Sequence, residues 1–230
     1  MRVAALILAA GRGERLGSAL PKAFVPVAGA PILVHALRAL AACPEIEWLL
    51  PVLPASELAR FESLRPQLAE LRGVLAPVAG GARRQDSAAA GLAALPEGVD
   101  LVAVHDAARP FVSADALARV IGAAARSGAA LLALPVRDTL KRARGERALE
   151  TVGREGLFAA QTPQVFRLEL LREALAKARA EGFRATDDAQ LVERLGLPVA
   201  LVPGDPDNWK ITSPEDLARA ERLLAPRPRA

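Results

Sequence analysis

The chain has 230 residues, 52% of them hydrophobic, with a formal net charge of +4 at pH 7, enough to bury a sizeable core in one domain spanning 1–230. No apolar run reaches the length of a membrane span, and the single cysteine, Cys43, excludes an internal disulfide and a cysteine-based metal cluster, so a cytoplasmic protein with no membrane partner is expected. The positive balance admits nucleic acid, but tyrosine is absent and only 3% of residues are aromatic, which leaves few stacking platforms, so no nucleic-acid partner is expected; the charge itself suits a small polyanionic substrate as well as it suits DNA.

In chain order, Val3 to Ala10 is an apolar run of the kind that forms a fully buried strand in a parallel sheet. "APILVHALRALAAC" has helical spacing with Pro31 near its start, where proline is tolerated, and His35 is expected to be structural within it. Cys43 reads as a small buried residue beside that helix's end. "EWLLPVLP" and "GVLAPVAGG" read as short strands, with "ASELARFESLRPQLAEL" a helix between them. "RQDSAAAGLAAL" reads as a helix, "LVAVHDAARP" as a strand running into a loop, and "SADALARVIGAAARSG" as a helix capped by Ser113. "AALLALPV" is a further buried strand. "LPVALVPG" follows as the last, before a helix, "SPEDLARAERLL", with Ser213 at its N-cap and Pro214 at its first position. This alternation predicts an α/β fold, a Rossmann-like, mostly parallel sheet flanked by helices on both faces.

Residues 137–156 depart from the pattern. The stretch is charged, poor in apolar residues, and carries Gly145 at a turn between two extended halves. It reads either as a projecting β-arm or as a disordered surface loop. A long two-stranded hairpin is marginal alone in water, so an arm needs a surface to pack on, and a second copy of the chain is the candidate.

The segment after the first strand gathers Arg12, Arg15 and Lys22 around Gly11, Gly13 and Gly17. Open α/β sheets bind ligands at the carboxyl ends of their strands. The spacing is neither the G-x-G-x-x-G of dinucleotide-binding folds nor the G-x-x-x-x-G-K-[ST] of phosphate-loop enzymes. Glycines allow close backbone approach to a polyphosphate, and Arg and Lys neutralise it. A nucleoside triphosphate is therefore favoured over NAD, with a plain strand–helix turn carrying solvated arginines as the alternative. Of the 30 basic residues 26 are arginine, and the four lysines are Lys22, Lys141, Lys177 and Lys210. Lysine is a compact point charge where arginine is a planar fork. Lys177 reads as a solvated helix face; Lys22 and Lys210 stand out.

"LAAGRGERLGSALPKAFVPVAGAPIL" resembles the opening motif of the sugar-nucleotidyltransferase superfamily. "HDAARPF" (105–111), "PVRDTLKR", "QTPQVF", "TDDA" and "NWKIT" narrow the resemblance to the 2-C-methyl-D-erythritol 4-phosphate cytidylyltransferase family, from residue 3 to about residue 222. The resemblance implies transfer of a cytidylyl group from CTP to the polyol phosphate, with release of pyrophosphate, in non-mevalonate isoprenoid biosynthesis. It also implies a requirement for Mg2+ and a homodimer that exchanges the 137–156 arms.

Carried over by that resemblance, Arg15 and Lys22 stabilise charge in the transition state, while Arg154 and Lys210 position the acceptor phosphate. Ala9, Ala10, Gly11, Gly81 and Ser87 line the nucleotide. Asp106, Arg109, Thr139, Thr162 and Thr186 contact the polyol; Asp106 is left open between substrate hydroxyls and a position near the metal. No dedicated protein cage is expected for Mg2+, which is held by few carboxylates together with substrate phosphates. The chain departs from the family in having Ala82 where an acidic residue often follows the "GG", and "VGR", with Gly153, in place of "VDR". The rival readings are a ribitol 5-phosphate cytidylyltransferase and a non-catalytic nucleotide-sensing module.

Overall fold

The computed structural model describes residues 1–10 and 20–224. The elements run β1 (Val3–Leu8), β2 (Pro26–Val27), β3 (Ala30–Pro31), α1 (Ile32–Ala41), β4 (Ile46–Leu53), α2 (Leu58–Glu62), α3 (Arg65–Leu68), β5 (Val78–Ala79) and α4 (Arg84–Ala93). They continue through β6 (Leu101–Asp106), α5 (Ala114–Ser127), β7 (Ala129–Pro135), β8 (Leu140–Arg144), β9 (Arg147–Val152) and β10 (Phe158–Arg167). The chain then closes with α6 (Leu168–Ala180), α7 (Ala189–Glu193), β11 (Ala200–Pro203) and α8 (Pro214–Leu224).

The main sheet has seven strands in the order β11-β7-β10-β6-β1-β4-β5. Every pairing is parallel except the two made by β10. β1 lies inside it, buried on both faces, as its unbroken apolar run predicts. Alternation along β1 sends Val3, Ala5 and Ile7 into one hydrophobic layer with Leu33, Leu37, Phe61 and Leu117. Ala4 and Leu6 enter the opposite layer with Leu50, Phe166, Leu171 and Leu175. The expected α/β architecture, a mostly parallel sheet between helices, is therefore present.

Local chemistry sets the ends of the helices. Ser113 caps α5, its hydroxyl accepting from the Ala116 amide at 3.2 Å, and Gly128 ends that helix with φ of 88°. The Asp216 amide donates to Ser213 Oγ at 3.2 Å at the start of α8. His35 holds the carbonyl of Val27 at 2.7 Å, a structural contact as expected. Cys43 is buried just past α1, and burial pushes its thiol up to about 12.

One expectation needs correction. The single helix read over 55–71 is broken into a short 3-10 turn, α2 and α3. Pro66 is responsible: it has no amide hydrogen, and its ring would clash with the carbonyl of Glu62, where α2 ends. The "QTPQVF" motif lies in a ten-residue strand, β10, inside the sheet between β7 and β6. It runs antiparallel because no helix crosses over between β7 and β10; the chain turns back directly, and the Val136 amide bonds the Leu157 carbonyl at 3.0 Å to close the base of the excursion.

That excursion is the 137–156 segment. It forms a hairpin, β8 paired antiparallel with β9 from Leu140↔Val152 to Arg144↔Arg147. Gly145, with φ of 57°, makes the turn, a backbone conformation that favours glycine. Residues 141–151 are all exposed. The disordered-loop alternative does not describe it. Among the described residues no helix is long and apolar enough to cross a membrane.

Candidate active site

The parallel strands β1, β4, β5 and β6 end on one edge of the sheet, where ligands bind in open α/β folds. Three groups of residues gather there.

The first is the small-residue loop after β5. The Gly81 amide donates to Ser87 Oγ at 3.1 Å, which ties the loop to α4. A Cβ built on Gly80 would lie 2.7 Å from Ser87 Oγ and 2.9 Å from the Ala10 side chain, and one on Gly81 would lie 2.4 Å from the Asp86 Cβ. Ala10, Gly81 and Ser87, separated in sequence, are thus neighbours. Ala9 is buried beside them, its amide bonded to the Val52 carbonyl at 2.9 Å.

The second group surrounds Asp106, the last residue of β6. Lys210 Nζ donates to Asp106 Oδ2 at 2.7 Å, and Arg84 Nη1 donates to Oδ1. Arg84 also donates from Nη2 to Asp188 Oδ2 at 2.8 Å and from Nε at 3.1 Å. Burial alone would push the Asp106 carboxyl up, but Arg84 and Lys210 overcome it and hold the group well below the usual carboxylate range. Burial pushes Asp188 up, against the pull of Arg84. Arg109 is lowered chiefly by its own burial, partly offset by Asp106. Its Nη1 donates to the Asn208 carbonyl at 2.8 Å, and its buried Nε has no partner among the described residues.

The third group fixes these side chains. Thr162 is buried, and its hydroxyl accepts from the Asp106 amide at 3.0 Å and meets His105 Nδ1 at 3.1 Å. His105 Nε2 contacts the Arg109 carbonyl at 2.9 Å, and burial lowers this imidazole to about 4. The "NWK" segment is anchored on both sides of Lys210. Asn208 Nδ2 donates to the Thr162 carbonyl at 2.9 Å, Trp209 stacks on Phe111 at 4.4 Å, and the Ile211 amide bonds the Ala108 carbonyl at 2.8 Å. Lys210 is thereby held by its neighbours while its side chain stays partly exposed.

Other candidates stand apart from that cluster. Lys22 opens a 3-10 turn, Lys22–Phe24, whose Ala23 and Phe24 are buried and so root the half-buried lysine. Thr139 and Arg154 are exposed at the base of the arm, and the Arg154 guanidinium donates to the Arg137 carbonyl. Thr186 is exposed, with its amide bonded to Gln190 Oε1 at 2.8 Å. Gly11 and Arg15 lie outside the described residues.

Sequence reading passed over Arg84 and Asp188. Arg84 is one of 26 arginines and sits at the head of an ordinary helix pattern; only the pairing of an "RQDS" helix start with "HDA" and "TDDA" could have flagged it.

A family model for 2-C-methyl-D-erythritol 4-phosphate cytidylyltransferase matches residues 3–226. A relative of that name from Syntrophus aciditrophicus (strain SB) is 44% identical over 227 residues, covering 97% of this chain and 96% of its own. The crystal structure of 2-C-methyl-D-erythritol 4-phosphate cytidylyltransferase from Thermus thermophilus aligns with a TM-score of 0.78 at 46% identity, covering 97% of this chain and 98% of that one. That of 4-diphosphocytidyl-2C-methyl-D-erythritolsynthase from Anaerococcus prevotii DSM 20548 aligns with a TM-score of 0.84 at 28% identity, over 98% and 96% of the two chains. With the fold, the loop and the charged edge in agreement, the chain belongs to the 2-C-methyl-D-erythritol 4-phosphate cytidylyltransferase family.

Proposed function

We propose that the protein transfers the cytidylyl group of CTP to 2-C-methyl-D-erythritol 4-phosphate, forming 4-diphosphocytidyl-2-C-methyl-D-erythritol and pyrophosphate. The observation that carries the reading, beside family membership, is the charged edge itself: one buried carboxylate, Asp106, held between Lys210 and Arg84 with Arg109 close by. Such a site is prepared for an anion and for hydroxyls at once. Lys210 and Arg109 supply positive charge, and Asp106 accepts from polyol hydroxyls.

The chemistry needs little else. An oxygen of the acceptor phosphate, already an anion, attacks the α-phosphorus of CTP as the bond to the leaving pyrophosphate breaks, so no general base is required. Charge builds on the α-phosphate oxygens and on the leaving group, and fixed cations at those positions lower the barrier. In this reading Arg15 and Lys22 serve those oxygens, and Arg154 and Lys210 align the acceptor phosphate. Ala9, Ala10, Gly81 and Ser87, with Gly11 carried over by family membership, are the proposed cytosine site, where small residues would favour a pyrimidine over a purine. Arg109, Thr139 and Thr186 hold the polyol with Asp106. Thr162, assigned to the polyol as well, also fixes Asp106, whose amide donates to its hydroxyl.

Mg2+ belongs to the proposal as an ion carried mainly by the nucleotide's phosphates, whose charge it screens. Among the described residues no group of three or more His, Cys, Asp and Glu side chains could hold a metal ion, and both Asp106 oxygens already accept from cations. That donor set fits an ion bound through substrate better than one in a protein cage. The arm reading is also proposed here. Thr139 and Arg154 would complete the site of a second copy, and the exposed Leu149, Leu157 and Phe158 would be covered in the dimer.

Pyrophosphate release tests the acceptor. With CTP and Mg2+, methylerythritol 4-phosphate is expected to support turnover and ribitol 5-phosphate to support little. The reverse preference assigns the chain to ribitol phosphate, and CTP binding without transfer to either assigns it to a nucleotide sensor.

A further inference from the structure

The geometry points to Arg84 as a positioning residue for the acceptor side of the site: it shares the Asp106 carboxylate with Lys210, so that Lys210 can turn to an incoming phosphate while Asp106 stays fixed and neutralised. This inference rests on the reading of Asp106 and Lys210 as acceptor contacts.

Arg84 ties together three segments that are remote in sequence: the start of α4, the end of β6 at Asp106, and the loop before α7 at Asp188. The loop is held in turn by two amide side chains. Gln85 Nε2 donates to the Phe183 carbonyl at 3.0 Å while its Oε1 accepts from the Ala185 amide at 3.2 Å. Gln164 Nε2 donates to Asp187 Oδ2 at 2.8 Å and its Oε1 accepts from the Ala189 amide at 2.9 Å. Asp188 is thus delivered to Arg84 on a pinned backbone, and the guanidinium fork cannot leave without stranding a buried carboxylate.

Lys210 is held differently. Its side chain is 42% exposed against 25% for Arg84. Lys210 is therefore the cation that can move and Arg84 the one that cannot. If Lys210 alone neutralised Asp106, its departure toward a phosphate would leave a buried carboxylate facing the substrate's own negative charge. Arg84 removes that conflict. Asp106 then keeps one fixed charge-assisted hydrogen bond from Arg84 and Asp188 keeps two throughout, and Arg109 and Lys210 are left as positive charge for the acceptor.

The test separates this role from that of a structural staple. Arg84→Gln, Arg84→Lys and the double variant Arg84→Gln with Asp188→Asn are compared with wild type for kcat, for KM of each substrate, for CTP binding without acceptor, and for Tm. For Arg84→Gln, kcat/KM for the acceptor is expected to fall at least roughly tenfold, with CTP affinity within about threefold of wild type. Arg84→Lys, which keeps a charge, is expected to recover part of the loss. The double variant, which no longer strands Asp188, is expected to regain Tm but not acceptor kcat/KM. Recovery of acceptor kcat/KM in the double variant, or equal loss for CTP and acceptor, overturns the inference while leaving the function intact. A wild-type protein that binds CTP but transfers to no polyol phosphate overturns the functional reading first, and this inference with it.

Discussion

At the scale of single residues, the proposed mechanism assigns most of the work to a few fixed charges. Lys22 opens a turn whose backbone is anchored by the buried Ala23 and Phe24. Lys22→Ala is expected to lower kcat roughly a hundredfold to a thousandfold, as loss of one transition-state charge contact does elsewhere, with a much smaller change in CTP affinity. Steady-state kinetics beside equilibrium CTP binding checks this, and turnover within about tenfold of wild type contradicts the role. His105 gives a stability prediction with a definite sign. Its folded-state value, about 4, lies below the ordinary 6.5 because burial disfavours the imidazolium. Between those values the unfolded chain binds more protons than the folded one, so stability is full above about pH 6.5 and falls as pH drops toward 4, by at most about 1.4 kcal/mol per pH unit. Urea unfolding from pH 7 to pH 4 is expected to show that slope, reduced in His105→Gln; an equal slope in the variant removes His105 as its source. A residue's place was legible where type and motif coincided, as at Lys210, which the structure brings to Asp106, and illegible where the type is common. Arg84 looks like every other arginine until the fold brings Asp106 and Asp188 to it.

At the scale of elements, what could be read depended on whether local pattern and tertiary burial agree. β1, β7 and α5 declare themselves by period and caps. β10 does not, because Gln161, Thr162, Pro163 and Gln164 look like a loop. They are buried in the sheet only because distant groups satisfy them, as when Gln161 Nε2 bonds the Asp205 carbonyl at 2.8 Å. Pro66 shows the opposite failure, an apolar period that continues across a residue which breaks the helix. The loop between β5 and α4 is a further case where spacing says little and packing says much. Gly81→Ala places a methyl 2.4 Å from the Asp86 Cβ, so the loop must lift off α4 and lose the amide bond to Ser87. The expected result is a raised KM for CTP and a loss of stability of about 1–3 kcal/mol. Unchanged KM for CTP contradicts the placement of the nucleotide at this loop.

At the scale of the whole molecule, the arm decides whether one chain is a complete enzyme. Among the described residues its two strands pair only with each other in the main-chain ladder, and 141 to 151 are exposed there, whereas a two-stranded ribbon needs packing to be stable. A two-fold exchange would bury them and carry Arg154 to a partner's site. Mixed Arg154→Ala and Lys22→Ala subunits are then expected to regain activity as heterodimers form, since one of the two sites has both residues intact. Heterodimers that form and stay inactive show that Arg154 serves its own chain. The sheet could be read from the sequence; the arm's shape could be read in part, since its polarity marks it as different without saying what it covers.

The central claim, transfer of a cytidylyl group to a polyol phosphate, is tested most directly by following CTP, Mg2+ and 2-C-methyl-D-erythritol 4-phosphate with the protein by phosphorus NMR. Equal amounts are expected of free pyrophosphate and of a new diphosphate ester, whose two coupled phosphorus signals join the cytidine and polyol phosphates. Appearance of CMP without the ester, or an unchanged spectrum in the presence of folded protein, would contradict it.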